Sequence, residues 1–386
     1  MSRYLITLTP VGPFFFGGET TFERSNGKSD QLSCNVIMSS RYPQQTSLLG
    51  MLRFWLLSNS DAFNPIEQRI SDTRKAARLI GKESFRIGGP NEFGVITSIS
   101  TCVVQVDRES RDEWCTYYPA PFDWDMQLTF WEVYDVFVNG MKRVIPSVVM
   151  AYDYQSNRME RYDQKWKRKD KLVGEKGDEI PIETIYVKDW RKGINKAIDK
   201  NKSGEVTGFF KQMFYRFETK QGSPQFRFAF EAEITDDSIT LPAPGIVELG
   251  GDGSKFALRW ELINQEKGLP KPTLFGNKPI AGMEAKVVLT SEARLPHEIV
   301  SGNSSFCITE HTPFRNLQTN VESCGDYGSD EGCVKKSARY SLYKRGSVFY
   351  FSTKENARTF ISGLKEDADM RKIGYNSYQL IEYTNR

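Results

Sequence analysis

The chain opens on an alternation of apolar and polar positions. Tyr4-Leu5-Ile6-Thr7-Leu8-Thr9 sends successive side chains to opposite faces, as a half-buried strand requires. Pro10, Gly12 and Pro13 end the run, and Phe14-Phe15-Phe16-Gly17-Gly18 follows as a turn-rich loop. The period then lengthens. Leu48, Met51, Leu52 and Trp55 fall at i, i+3, i+4 and i+7, one face of a helix with Thr46 or Ser47 as its N-cap. A second helix is expected over about 66–80, with Arg69, Arg74, Lys75 and Arg78 on its outer face and Gly81 closing it.

Strand-like text returns at 94–106 and 130–150. The stretch 154–202 is polar and heavily charged, which predicts an insertion projecting from the first domain, about 154–208. Phe226-Arg227-Phe228-Ala229-Phe230 alternates as a strand, and a Pro/Gly-rich passage runs from Pro242 to Lys255. Further strands are expected at 285–290, 347–351 and 378–383, with a helix at 355–364 and a turn at Gly374-Tyr375-Asn376. Strands interleaved with about one helix per strand pair predict an α+β protein of two ferredoxin-like (RRM-like) domains. These are placed at 1–245, carrying the basic insertion, and 246–386, carrying glycine-rich loops.

A length of 386 residues suits two domains of about 150–200 residues each. Hydrophobic content of 39% and charged content of 26% exclude a disordered chain. No stretch approaches the ~20 uninterrupted apolar residues of a membrane helix, and prolines interrupt any signal-peptide core, so a cytoplasmic protein with no membrane partner is expected. Net charge is only +3, so a polyanion partner must be sought in how the charge is distributed. Six scattered cysteines without a secretory signal read as free thiols. Cys307, His311, Cys324 and Cys333 have ligand-like spacing but no close Cys-x-x-Cys knuckle, so no metal and no cofactor are expected.

Catalytic chemistry is thin. The two histidines, His297 and His311, lie in no recognisable acid/base constellation, and no nucleophile elbow, zinc-binding helix or Walker loop is present. No catalytic residue is assigned, which points to a binder or scaffold. Three features favour an RNA ligand. The start of the first helix offers backbone amides and a positive dipole end with Gln45, Thr46 and Ser47 as donors, although an ordinary capped core helix has the same sequence. Glycine-rich loops combine a basic residue, glycine and a small polar residue: Gly250-Gly251-Asp252-Gly253-Ser254-Lys255, then Lys344-Arg345-Gly346-Ser347, then Arg371-Lys372-Ile373-Gly374-Tyr375-Asn376. Each alone also suits a plain turn. In the insertion, 158–171 has seven basic and three acidic residues, with Tyr162 and Trp166 among Lys165, Lys167, Arg168 and Lys169. Stacking rings among cations suit single-stranded RNA, and a solvated loop is the alternative.

Taken in order, these residues resemble a known family. Pro43-Gln44-Gln45-Thr46-Ser47-Leu48-Leu49-Gly50-Met51-Leu52-Arg53 resembles the N-terminal signature of RAMP proteins, as does Gly81-Lys82-Glu83-Ser84-Phe85 before Phe93-Gly94-Val95-Ile96. Leu249-Gly250-Gly251 with Ser254, then Arg345-Gly346-Ser347-Val348-Phe349-Tyr350-Phe351, then Ile373-Gly374-Tyr375-Asn376, follow in the order of the third Cmr subunit of type III-B CRISPR effector complexes. The resemblance implies two ferredoxin-like domains that bind and cap the 5′ handle of the CRISPR RNA without catalysis. It implies contact with the large polymerase-like subunit and the adjacent backbone RAMP subunit, and with target RNA only indirectly, in antiviral defence. Carried over, Gln45, Thr46 and Arg53 would meet the RNA backbone. Gly250, Gly251, Lys255, Gly346, Ser347 and Gly374 would line the handle groove, and the basic insertion would be a thumb. The alternative is a RAMP endoribonuclease that processes precursor CRISPR RNA. Poverty in histidine favours the binding module.

Overall fold

Strand β1 (Ser2–Pro10) lies inside the largest sheet, antiparallel to Gln225–Ile234 on one side and to Lys255–Leu262 on the other. The expected alternation holds: Ile6 and Leu8 are buried, opposite Phe230 and Phe228 on one neighbour and Trp260 and Leu258 on the other. Because side chains alternate along a strand, Phe226, Phe228, Phe230, Phe256 and Leu258 all turn to one side. There they meet helix α1 (Gln45–Ser58), whose Leu48, Leu52, Trp55 and Leu56 fill the same core. The structure is a computed structural model that describes residues 1–17, 20–23, 34–108, 113–138, 140–153, 158–163, 170–195, 208–220, 224–235, 241–263, 268–270, 279–319 and 335–383.

The opposite face of this sheet is buried too. Val103 and Ala229 share a core with Val288, Ile308, Val348 and Tyr350 of a four-stranded antiparallel sheet ordered Phe306–Ile308, Val348–Phe351, Ala285–Leu289, Tyr378–Glu382. On the far side of that second sheet, Val287, Leu289, Phe349 and Phe351 pack on helix α3 (His297–Asn303) and helix α4 (Lys354–Glu366) through Val300, Phe360, Ile361 and Leu364. The layers therefore run helix, sheet, sheet, helix, a mixed α+β arrangement built mostly of strands. Burial on both faces explains the unbroken apolar run Val348-Phe349-Tyr350-Phe351. Between the sheets, Lys286 Nζ lies 2.6 Å from Asp123 Oδ2, both side chains fully buried, and the Tyr350 hydroxyl donates to the same carboxylate.

Two expectations need correction. The region 66–80 is not one helix. Phe63–Asn64 and Arg69–Ile70 form a short hairpin across Pro65, with Gln68 at positive φ, and α2 covers only Thr73–Ile80, its first turn capped by the Asp72 carboxylate. The division after 245 also falls in the wrong place. Gly245–Glu248 and Lys255–Leu262 add to the large sheet, because Val247, Phe256 and Leu258 complete the core beneath α1.

Within the stretch read as an insertion, Lys171–Gly174 pairs with Glu113–Pro119 in the large sheet, and Leu172 and Val173 are fully buried. Tyr186–Asn195 pairs with Gly208–Phe217 in a separate four-stranded sheet. A long hairpin, Met126–Val138 with Met141–Asp153, is anchored at its base by Phe130 against Phe306 and Tyr350. Further along it Trp131, Val133 and Phe137 are exposed on one face, and Arg158–Arg161 pairs onto its second strand with all four residues exposed.

Candidate nucleic-acid interface

Helix α1 begins two or three residues earlier than the expected cap at Thr46 or Ser47. Gln44 is the N-cap and makes no side-chain capping bond, so Thr46 and Ser47 sit in the first turn instead. The Gln45 side chain turns inward and is fully buried. Its amide donates to the carbonyls of Ser100 and Ile373, both at 2.8 Å, and its oxygen accepts from the Cys102 amide at 3.2 Å. Gly374, at φ +85°, packs so closely on Gln45 that a Cβ there would lie 2.1 Å from Nε2. The buried Tyr375 hydroxyl lies beside the Thr46 side chain and the first amides of α1. Asn376 is also buried, accepting from the Arg294 amide at 2.8 Å and donating to the Leu364 carbonyl at 3.1 Å. Gln45, Gly374, Tyr375 and Asn376 are therefore brought together as a buried support under α1, not as an exposed RNA surface. Burial decides this, because the Gln45 and Asn376 amides spend their polar atoms on partners inside the fold.

The loop Gly250–Lys255 is clasped to the segment Phe14–Phe16. Gly250 has φ +92°, and a Cβ on it would meet the Phe15 carbonyl oxygen at 2.3 Å. The Gly251 amide donates to that carbonyl at 2.8 Å. The Ser254 hydroxyl accepts from the Phe15 amide at 2.9 Å and donates to the Gly251 carbonyl at 2.7 Å, so Ser254 is committed inside the fold. Lys255 is exposed.

The third candidate loop faces inward. The Arg345 guanidinium forms a two-pronged bond with Glu292 at 2.7 and 2.8 Å, donates to the Cys102 carbonyl at 3.0 Å and stacks 4.1 Å from the Tyr42 ring. Burial opposes its charge, and Glu292 more than offsets this. Gly346 packs against Phe122, and the fully buried Ser347 hydroxyl donates to the Lys344 carbonyl. Arg345, Gly346 and Ser347 join the two sheets and are closed to a ligand in this arrangement. Lys165, Arg168 and Lys169 lie outside the described residues, as do Cys324 and Cys333.

What the fold does assemble is a groove of about 610 Å³. Thr46, Ser47 and Arg53 of α1 form one wall, Gly250 and Gly251 another, and the segments 81–85 and 315–319 the rest. Arg53 is 8% exposed. It donates to the carbonyls of Glu83 at 3.0 Å and Glu92 at 2.6 Å and lies over the Phe93 ring, yet its Nε has no partner and no carboxylate pairs with it among the described residues. Burial without a counter-charge pulls its pKa down to about 10. The result is a positive charge on the groove wall that no carboxylate among the described residues compensates. The sequence reading missed Tyr42 and Arg315 on the lining. Only the Lys82 position had a signal, since it stands in the Gly81–Phe85 signature.

The exposed His311 has its Nδ1 3.2 Å from the exposed Ser341 hydroxyl, and His297 opens α3. Among the described residues no three metal-ligating side chains cluster, and no helix is long and apolar enough to cross a membrane.

Residues 6–383 match the family described as CRISPR-associated protein (Cas_Cmr3). Among solved structures, the chain is similar to a component of the Type III-B Cmr-beta complex bound to cognate target RNA and AMPPnP, state 1. That likeness is 14% identical, covers 98% of this chain and 96% of that chain, and has a TM-score of 0.43. It is also similar to a component of Type III-B Cmr-beta bound to cognate target RNA, at 13% identity, the same coverage and a TM-score of 0.43. No curated protein matches. The match over nearly the whole length makes the chain a member of the CRISPR-associated Cmr3 family, the RAMP-type third subunit of type III-B effector complexes.

Proposed function

We propose that this subunit holds and caps the 5′ handle of the CRISPR RNA without cleaving it, and bridges the large polymerase-like subunit to the backbone RAMP. The observation that carries this is Arg53: a buried guanidinium without a carboxylate partner among the described residues, on the wall of a groove open to a ligand. Thr46, Ser47, Gly250 and Gly251 line the same groove, where backbone and hydroxyl groups reach a strand's phosphates and sugars. Lys255, exposed at the end of the glycine loop, adds charge beside them. The basic run around Lys165, Arg168 and Lys169 is assigned to a thumb that separates handle from guide.

The fold reading accompanies it. The C-terminal sheet follows a β-α-β-β-α-β succession with its second, third, first and fourth strands side by side, which supports a ferredoxin-like unit. The strands Val103–Arg108, Gln225–Ile234, β1 and Lys255–Leu262 repeat that order, with α1 after the first strand. Among the described residues no helix stands between the third and fourth of these.

The test is binding of a 5′-handle RNA to the purified full chain without metal. A stable complex that leaves the RNA intact, weakened about tenfold or more by Arg53→Gln as a charged contact is lost, is the expected result. Cleavage of a repeat-containing RNA would instead identify a processing endoribonuclease.

A further inference from the structure

A second concavity, about 360 Å³, adjoins the first and shares Lys82 with it. It is lined by Thr73, Arg74, Ala77 and Arg78 of α2, by Lys82, and by one acid, Glu92. Arg74 and Arg78 stand four residues apart, so they share one face of α2, and both are exposed. The fold neutralises their neighbour: Lys75 Nζ lies 2.6 Å from Asp61. Arg74, Arg78 and Lys82 have no ion-pair partner among the described residues. Like charges at this spacing oppose a helix, and α2 has only eight residues with which to hold itself together. Two unpaired arginines here are a cost to the free protein that a bound anion would remove.

The groove alone is poorly charged for its proposed ligand. Lys82, Arg53 and Arg315 share its lining with Glu83 and Glu248. The excess of positive charge lies next door, beyond Lys82. We propose that Arg74, Arg78 and Lys82 form a phosphate track that carries single-stranded RNA out of the groove and across α2. The guanidinium forks suit phosphate oxygens, and Lys82 stands where the two concavities meet. This track rests on the reading of the groove as an RNA site.

The experiment titrates the full chain with a fluorescein-labelled single-stranded RNA bearing the 5′ handle, at several salt concentrations. The Arg74→Ala/Arg78→Ala/Lys82→Ala variant should bind more weakly. Its slope of log K against log salt should be shallower by up to ~2.1, from about 0.7 for each lost contact. Arg74→Lys/Arg78→Lys/Lys82→Arg should keep the wild-type slope. So should Arg358→Ala/Lys365→Ala, which removes exposed charge on α4. If the triple variant loses its fold in a melting experiment, Arg78→Ala/Lys82→Ala decides with a change of up to ~1.4.

A wild-type slope in the neutralised variant, with Arg53→Gln still weakening binding, overturns the track and keeps the groove, leaving α2 to an acidic protein surface. A shallower slope with no effect of Arg53→Gln keeps the track and removes the groove. A wild-type chain that binds no RNA overturns both.

Discussion

Replacing Glu292 by Gln leaves the Arg345 guanidinium buried opposite a neutral amide. Breaking one partner of a buried pair costs about 3–5 kcal/mol, and the denaturant midpoint should fall accordingly with an unchanged m-value. Burial alone would push the Glu292 carboxyl up, but the Arg345 guanidinium holds it below the usual carboxylate range. A folded pKa below the unfolded one means that its stabilisation is present above about pH 4.3 and is lost as pH falls through the folded value. The wild type should therefore lose stability more steeply on acidification than Glu292→Gln, and equal acid limbs would refute the assignment. At this scale the sequence was half legible. The period of Leu48, Met51, Leu52 and Trp55 gave the helix that carries Arg53, while Arg53 itself was singled out only by the family resemblance. Arg345-Gly346-Ser347 has the composition of a phosphate loop, but its counter-charge stands 53 residues away in sequence, beyond the reach of any local pattern.

The glycine loop forms one wall of the groove and is held there by a close approach to Phe15. An Ala at Gly250 would strain a backbone at φ +92° and drive a Cβ to 2.3 Å from the Phe15 carbonyl. Such strain costs about 1–3 kcal/mol. Gly250→Ala should lower the melting temperature and weaken RNA binding while leaving the salt slope unchanged, because no charge is removed; a shallower slope would mean that the loop acts through Lys255 instead. Elements with long, clean periods, such as β1, α1 and α4, could be read directly. The wall at 315–319 could not, because its strand Leu317–Gln318 pairs for only two residues with Lys335–Lys336, too short to show a period. The helix expected over 66–80 was too long because the hairpin turn, with Gln68 at positive φ, carries no glycine to mark it, while the real start signal was the Asp72 cap.

For the whole molecule, the two sheets share one core. Val103 and Ala229 pack with Val348 and Tyr350, and the buried Lys286–Asp123 pair crosses between them. Heating should give one cooperative transition, with calorimetric and van't Hoff enthalpies equal, and two resolved transitions would show the halves to be independent. The sequence indicated two sheet-bearing halves but divided them at a Pro/Gly-rich passage that resembles a linker. That passage is a hairpin held on the edge of the first sheet by Val247 and Phe256, a long-range pairing that composition does not reveal.

The contact of Gln45 with Ile373 and Gly374 also fixes when the protein can work. Gln45 and Ile373 are separated by 328 residues, so the helix that walls the groove is seated only once residue 373 has been made. The segment 315–319, which closes another side, also arrives late. A half-made chain lacks these walls of the groove. On the proposed function, the RNA site would then be finished only after residue 373 is made, and nascent chains shorter than that should not retain a 5′-handle RNA.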